Sequence, residues 1–305
     1  MDMFAPDLWI LVTLAAAVFQ TVRFMLQKFL ATATLSAAGA TFSRFLYSWP
    51  FIIGLLAVYF AVTGSGWPQI GNAFWFYGLL GASTQILATV CVVLLFKQRN
   101  FAVGITFKKT EVIQTVLVGW LLLGEGVSWL GFAAIALGIV GLLLLSGKAG
   151  AQGIRLSDLG NRAAGLGIAS GVLFAFSAVS YRGASLLVVA DDPILRAGVT
   201  LAVVVTMQTA IMLVWLGLRE PGEIKAVWDA RRVAVWIGVT SMGGSFCWFV
   251  AFTLQNAAYV KALGQVELIL SVAATTLFFK EKIMGREWAG MAVLVASIFM
   301  LILVI

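Results

Sequence analysis

The sequence predicts an all-α integral membrane protein, with ten transmembrane helices arranged as two inverted five-helix repeats. Three observations predict it. Of the 305 residues, 62% are apolar types and only 11% are charged, about half the charged share of an ordinary soluble domain. Apolar runs of about 20 residues, the length that crosses a bilayer, recur along the whole chain. Shifted by 156 residues, the second half of the chain falls on the first with polar as well as apolar positions in register.

The runs lie at 8–30, 36–63, 72–96, 101–123, 127–147, 163–189, 194–218, 232–254, 257–279 and 285–305. The first follows an acidic start, MDMFAPD, and continues well past a signal-peptide core, so it is expected to stay in the mature chain. The second carries Arg44 early, in SRFLYSWPF (43–51), and the third carries Gln85. The fourth is anomalous: FKKTEVIQ (107–114) places Lys108, Lys109 and Glu111 within an apolar run, where each charge costs roughly 2.5–3.5 kcal/mol at mid-bilayer. The fifth closes a first repeat, 1–147. The longest polar connections are 148–162 and 219–231, neither long enough for a soluble domain. The sixth to tenth runs form a second repeat, 163–305. Gly and Ala are abundant inside the runs, which lets helices approach closely in lipid.

The offset places Glu111 on Glu267, Asn100 on Asn256, Glu125 on Glu281 and Cys91 on Cys247, and RNFAVGITFKKTEVIQ meets QNAAYVKALGQVELIL without a gap. Because five is odd, the second unit enters the membrane from the opposite side. Inverted repeats of this kind belong to secondary transporters, whose substrate site lies near the midplane. Thirteen cations fall on one set of loops: Lys28, Lys97, Arg99, Lys148, Arg155, Arg162, Arg219, Lys225, Arg231, Arg232, Lys280, Lys282 and Arg286. The other side has Arg196, with Arg182 slightly deeper. The positive-inside rule then puts both termini outside the cytoplasm.

Lys108 and Glu111 are three apart and share a helix face, continued by Gln114, while Lys109 points about 100° away. On a helix starting near Phe101, Glu111 lies roughly 15 Å deep, with Glu267 at the equivalent depth. Lys261 is nearer the interface and able to snorkel. These groups suit a zwitterion, an anion, or a proton carried on Glu111 or Glu267; the competing account is a structural Lys–Glu pair locking two helices. Gln85 and Ser241 lie at matching depth, and Trp248 and Tyr259 are candidate cavity walls. Arg44, Arg23 and Arg182 lie near helix ends, where headgroup phosphate is an equal alternative. Trp75, Trp120, Trp129, Trp228, Trp236 and Trp288 fall near run ends, as in an interfacial belt.

The chain has no His, which removes the commonest metal ligand and general base. Cys91 and Cys247 lack CxxC partners and are read as small buried hydrophobes. No metal spacing, phosphate loop, nucleophile–base pair or nucleic-acid motif appears. The expectation is therefore no cofactor, no metal and no nucleic acid. The expected partners are a small-molecule substrate and the lipid bilayer, with assembly as a monomer or a homodimer.

Residues 99–145 and 255–303, with LLLGE (121–125) and FFKEK (278–282) each followed by a Gly-containing last helix, and the Arg in SRFLYSWPF, resemble the EamA-type ten-helix branch of the drug/metabolite transporter superfamily. The resemblance covers nearly the whole chain. It implies transport of a small polar metabolite by alternating access, without enzyme activity, in the bacterial inner (plasma) membrane. It does not choose among amino acids, sugars, sugar phosphates and cationic compounds. Read together with the intramembrane charges, it favours an amino-acid-like substrate or an organic anion. A membrane-embedded enzyme, or a channel, with structural charges is the alternative.

Overall fold

A computed structural model describes residues 5–33, 35–97, 107–145, 162–270 and 285–304. The described chain is helical almost throughout. Its elements are α1 (Ala5–Ala33), α2 (Ala37–Thr63), β1 (Gln69–Ile70), α3 (Phe74–Phe96), α4 (Glu111–Leu123), α5 (Trp129–Leu145), α6 (Arg162–Leu186), β2 (Val188–Val189), α7 (Pro193–Arg219), α8 (Pro221–Asp229), α9 (Arg231–Leu254), α10 (Ala257–Leu263) and α11 (Gly285–Val304). Among the described residues, six helices are long and apolar enough to cross a membrane: Leu8–Ala31, Ala37–Thr63, Phe74–Phe96, Arg162–Leu186, Pro193–Arg219 and Arg231–Leu254. α4, α5 and α11 are shorter and equally apolar. The protein is an all-α membrane-embedded protein.

Its outer surface agrees. Leu117, Trp120, Leu121, Trp129, Leu218 and Leu303 stand exposed, a distribution suited to lipid and not to water. Inside the helices, hydroxyls turn back onto their own backbone: Thr13, Thr41, Thr89 and Thr115 each donate to the carbonyl four residues earlier. Where no water is at hand, that is how a hydroxyl avoids standing unpaired.

Helix ends follow local chemistry. The Ser36 side chain accepts from Gly39 N at 3.0 Å to start α2, and Gly64, at φ 67°, stops it. Asp192 accepts from Ile194 N at 2.8 Å and is followed by Pro193, a first-turn residue. Asn256 accepts from Ala258 N at 2.8 Å to start α10.

α3 packs against α6, α9 against α1, α5 against α11, and α2 against both α7 and α9. β1 and β2 pair antiparallel, Gln69 opposite Val189 and Ile70 opposite Val188. At another edge, Ser36 N and Oγ donate to Glu223 (2.9 Å) and Glu220 (2.6 Å). Small residues set the closest approaches. A Cβ at Gly141 would lie 2.7 Å from Leu294 N and 3.0 Å from Gly290 O on α11.

The fourth run differs from expectation. It is not one continuous helix: residues 107–108 are helical, 109–110 form a turn, and α4 begins at Glu111. The ninth run breaks at the corresponding place, with α10 ending at Leu263, a turn at 264–265, and helix again over 266–270. Residues 98–106, 146–161 and 271–284 lie outside the described residues, and with them Glu281, Asn100 and several of the loop cations.

Gly141→Ala is expected to lower stability by about 1–3 kcal/mol, because backbone atoms of α11 cannot yield as a side chain would. Gly54→Ala, with nothing within 4 Å of its Cβ, serves as the control. Thermal unfolding in detergent compares them, and equal melting of the two variants contradicts the close α5–α11 seam.

Candidate functional site

The two helix breaks have physical causes. In the first, Thr110 Oγ1 donates to Phe107 O at 2.7 Å while Thr110 N donates to the same carbonyl at 3.1 Å, so the side chain competes with helical pairing. In the second, Gln265 N bonds Ala262 O at 3.2 Å and Glu267 N bonds Gly264 O at 3.1 Å, the tight three-residue pattern. Gly264 also leaves room for the Trp248 ring, which a Cβ there would strike.

Each break leaves a helix start on its C-terminal side, and the carboxylates fit those starts. Glu111 is the first residue of α4 and Glu267 the second of the helical stretch 266–270. Helix starts carry partial positive charge and favour carboxylates. Lys261 lies in the last turn of α10. Helix ends favour cations for the converse reason.

The ion pairs cross between the two segments. Lys108 Nζ lies 3.6 Å from Glu111 Oε2, within one segment. Lys261 Nζ reaches the other oxygen of Glu111 at 3.7 Å, and Lys109 Nζ reaches Glu267 Oε2 at 3.5 Å. Lys108, Lys109, Glu111 and Lys261 are all buried. The near-interface position expected for Lys261 is therefore corrected: it does not snorkel, because Glu111 and the rings of Trp248 (5.0 Å) and Phe174 (5.5 Å) hold it inside. A relay continues from Glu267, which accepts from Gln20 Nε2 at 2.7 Å, while Gln20 Oε1 accepts from Trp248 Nε1 at 3.2 Å.

Beside these pairs lies a cavity with about 40 Å³ of space for water-sized molecules. At roughly 10–15 Å³ per water, that is room for about three. α1, α2, α3, α6, α9 and α10 each contribute, and Lys261 joins the cavity to the ion pairs. Its polar wall includes Gln20, Arg23, Arg44, Gln85, Ser177, Ser241 and Ser245, and its aromatic wall Phe174, Tyr181, Trp248, Phe249 and Phe252. Arg44 Nη1 donates to Thr89 Oγ1 (3.1 Å) and Nη2 to Ser245 Oγ (3.3 Å). Its surroundings orient the Gln85 amide so that oxygen accepts from Arg44 (3.0 and 3.2 Å) and nitrogen donates to Ser177 Oγ at 2.7 Å.

The structure thus brings together Glu111, Glu267, Lys108, Lys109 and Lys261 as one charged group, and Gln85, Arg44, Trp248 and Lys261 around the cavity. It leaves two expected residues elsewhere. Gln114 donates to Thr110 Oγ1 at 3.1 Å and lies against Gly171. Tyr259 is not among the cavity-lining residues: its ring lies by Gly131 and its hydroxyl accepts from Ser128 N at 3.0 Å. Arg182 is also no headgroup anchor. Its Nε donates to both Glu125 oxygens (2.8 and 2.7 Å), and Nη1 donates to the carbonyls of Phe252 and Gln255, both at 2.8 Å. Gln20, Phe174 and Tyr181 escaped the sequence reading, although Gln20, Arg23 and Gln27 follow helical spacing along one face.

No family model and no curated protein matches the chain. Among solved structures, one known only as a crystal structure of a protein aligns with a TM-score of 0.66. It is 19% identical, over 95% of this chain and 99% of that chain. The likeness extends to the fold alone.

Glu111→Gln leaves two buried ammonium groups without their carboxylate. It is expected to cost about 3–5 kcal/mol, the scale for breaking a buried pair from one side. Unfolding of the purified variant in detergent measures this, and a loss below about 1 kcal/mol shows that solvent, not Glu111, balances Lys108 and Lys261.

Proposed function

We propose that the protein is a secondary active transporter of the EamA type. It moves a small polar or charged metabolite across the bacterial inner membrane by alternating access between two inverted five-helix units. The observation that carries this is the cavity itself: polar, cationic, walled by aromatic rings, and set where two helices break. Broken helices whose ends face a central site recur in secondary transporters, because the freed backbone and the end charges serve ligand binding there.

Several packing features support the two-unit arrangement. The contact of α3 with α6 has its counterpart in α9 with α1, and α2 with α9 in α7 with α3. α5 with α11, α2 with α7 and α4 with α10 are pairings of each helix with its own counterpart. The two breaks, at 109–110 and 264–265, fall within one residue of the 156-residue offset.

Contacts between connections support the alternating weave. Ser36 meets Glu220 and Glu223 on the side assigned to the cytoplasm. On the other side, β1 meets β2, and Arg182 joins Glu125 to the end of α9. In this account Arg182 and Glu125 close the extracytoplasmic end, while Glu111 and Glu267 hold the lysines and the broken segments in place.

Two experiments test the proposal. Reporter fusions at the C-terminus are expected to read extracytoplasmic, and a cytoplasmic reading overturns the orientation. Proteoliposomes screened with amino acids, organic anions, phosphate monoesters and organic cations are expected to exchange at least one class across the membrane. Exchange should fall at least about tenfold in Lys261→Gln, which removes a wall charge. Vesicles that exchange none of these classes, with protein verified as folded, contradict transport.

A further inference from the structure

We infer that the cavity binds a small doubly charged oxyanion, gripped by the guanidinium groups of Arg23 and Arg44; this names the substrate class of the transporter proposed above and rests on the cavity being its substrate site.

Arg23 carries the inference. It is 4% exposed, lines the cavity, and makes no hydrogen bond or ion pair with any described residue. Among the described residues it lies against the face of Phe24, 4.5 Å from the guanidinium carbon, and is attracted by the Glu267 carboxylate without an ion-pair contact. A guanidinium brings five donors, and a buried charge left without compensation is costly. Arg44, also buried in the same wall, is satisfied by neutral groups alone: Thr89, Ser245 and Gln85. Ser241 Oγ, buried in the wall, is another donor with no partner among the described residues.

The charge count points the same way. Five cations surround this region, Arg23, Arg44, Lys108, Lys109 and Lys261, against two carboxylates, Glu111 and Glu267, giving 5 − 2 = +3 among the described residues. The carboxylates lie in ion-pair contact with the lysines, and although Glu267 also attracts Arg23, two anions cannot balance five cations, so a positive excess remains beside the arginines. Among the described residues no carboxylate lines the cavity, so an ammonium-bearing ligand would meet aromatic faces but no anionic partner. Paired guanidinium forks match carboxylate and phosphate oxygens, which they bind through two parallel hydrogen bonds. A dicarboxylate and a phosphate share that chemistry.

The test is ligand-dependent unfolding of the protein in neutral detergent at constant ionic strength, with succinate, inorganic phosphate, acetate and choline as probes. Succinate or phosphate is expected to raise the melting temperature saturably, acetate less, and choline not at all. Arg23→Gln and Arg44→Gln should each weaken binding of the dianion at least about tenfold, with Arg23→Lys recovering part of it. Unliganded Arg23→Gln should melt no lower than wild type, because the cost of burying the guanidinium and its repulsion from Arg44 outweigh its attraction to Glu267. Stabilisation by choline, stabilisation by added phosphatidylglycerol without any response to the soluble dianions, or wild-type binding by Arg23→Gln overturns the proposal. The transport reading fails separately: dianions that bind through Arg23 but are never moved leave the site standing, whereas exchange of a cation alone keeps the transporter and removes the dianion site.

Discussion

Two broken helices share their charges, and the rest of the molecule is arranged around that exchange. Glu111 begins one half-helix and takes an ammonium from its own segment, Lys108, and another from the distant one, Lys261. Glu267 lies in the first turn of the other and takes Lys109 in return. Buried ion pairs are weak evidence for net stability, since desolvation offsets much of their attraction, yet opening one from a single side is expensive. That asymmetry makes the pairs effective as locks: they fix which segment faces which. Helix-end dipoles and the rings around Lys108 and Lys261 lower the cost of keeping them dry.

The lock leaves the arginines over. The two carboxylates make their ion-pair contacts with lysines, so among the described residues Arg23 and Arg44 enter the cavity wall without an ion-pair contact of their own. A site poor in acids and rich in guanidinium groups is suited to an anion, and the aromatic wall formed by Phe174, Trp248 and Phe252 confines it. Under the proposed function two tasks are separated within one charged region, with Lys109–Glu267 and Glu111 with its two lysines holding the segments, and Arg23 and Arg44 left to face a ligand. Lys261 belongs to both, as it touches Glu111 and also lines the cavity.

Much of this was legible in the sequence. The apolar runs gave the membrane class, and the 107–114 stretch announced its own charge cluster. The i, i+3 spacing of Lys108 and Glu111 placed them on one face, and the 156-residue offset linked Glu111 to Glu267. The helix breaks were not legible. No proline marks either, and Lys109-Thr110 carries no turn residue pair; Gly264 at the second break was the one local signal, and it did not stand out among the many packing glycines of the apolar runs. The cross-pairing of Lys109 and Lys261 was hidden for another reason: it joins residues more than 140 apart, and only the packed structure brings them together. Arg23 was underweighted as a residue near a helix end. Its spacing from Gln20 and Gln27 was the signal that it faces inward.

Lys109 and Glu267 lock the two broken segments by charge. The most direct test exchanges them. Lys109→Glu and Glu267→Lys, each alone, place like charges together and are expected to lower the melting temperature in detergent sharply. The double exchange restores opposite charges across the same gap and is expected to recover most of that loss, a coupling of at least about 1 kcal/mol in the cycle. A double variant as unstable as the sum of the two singles would contradict the account.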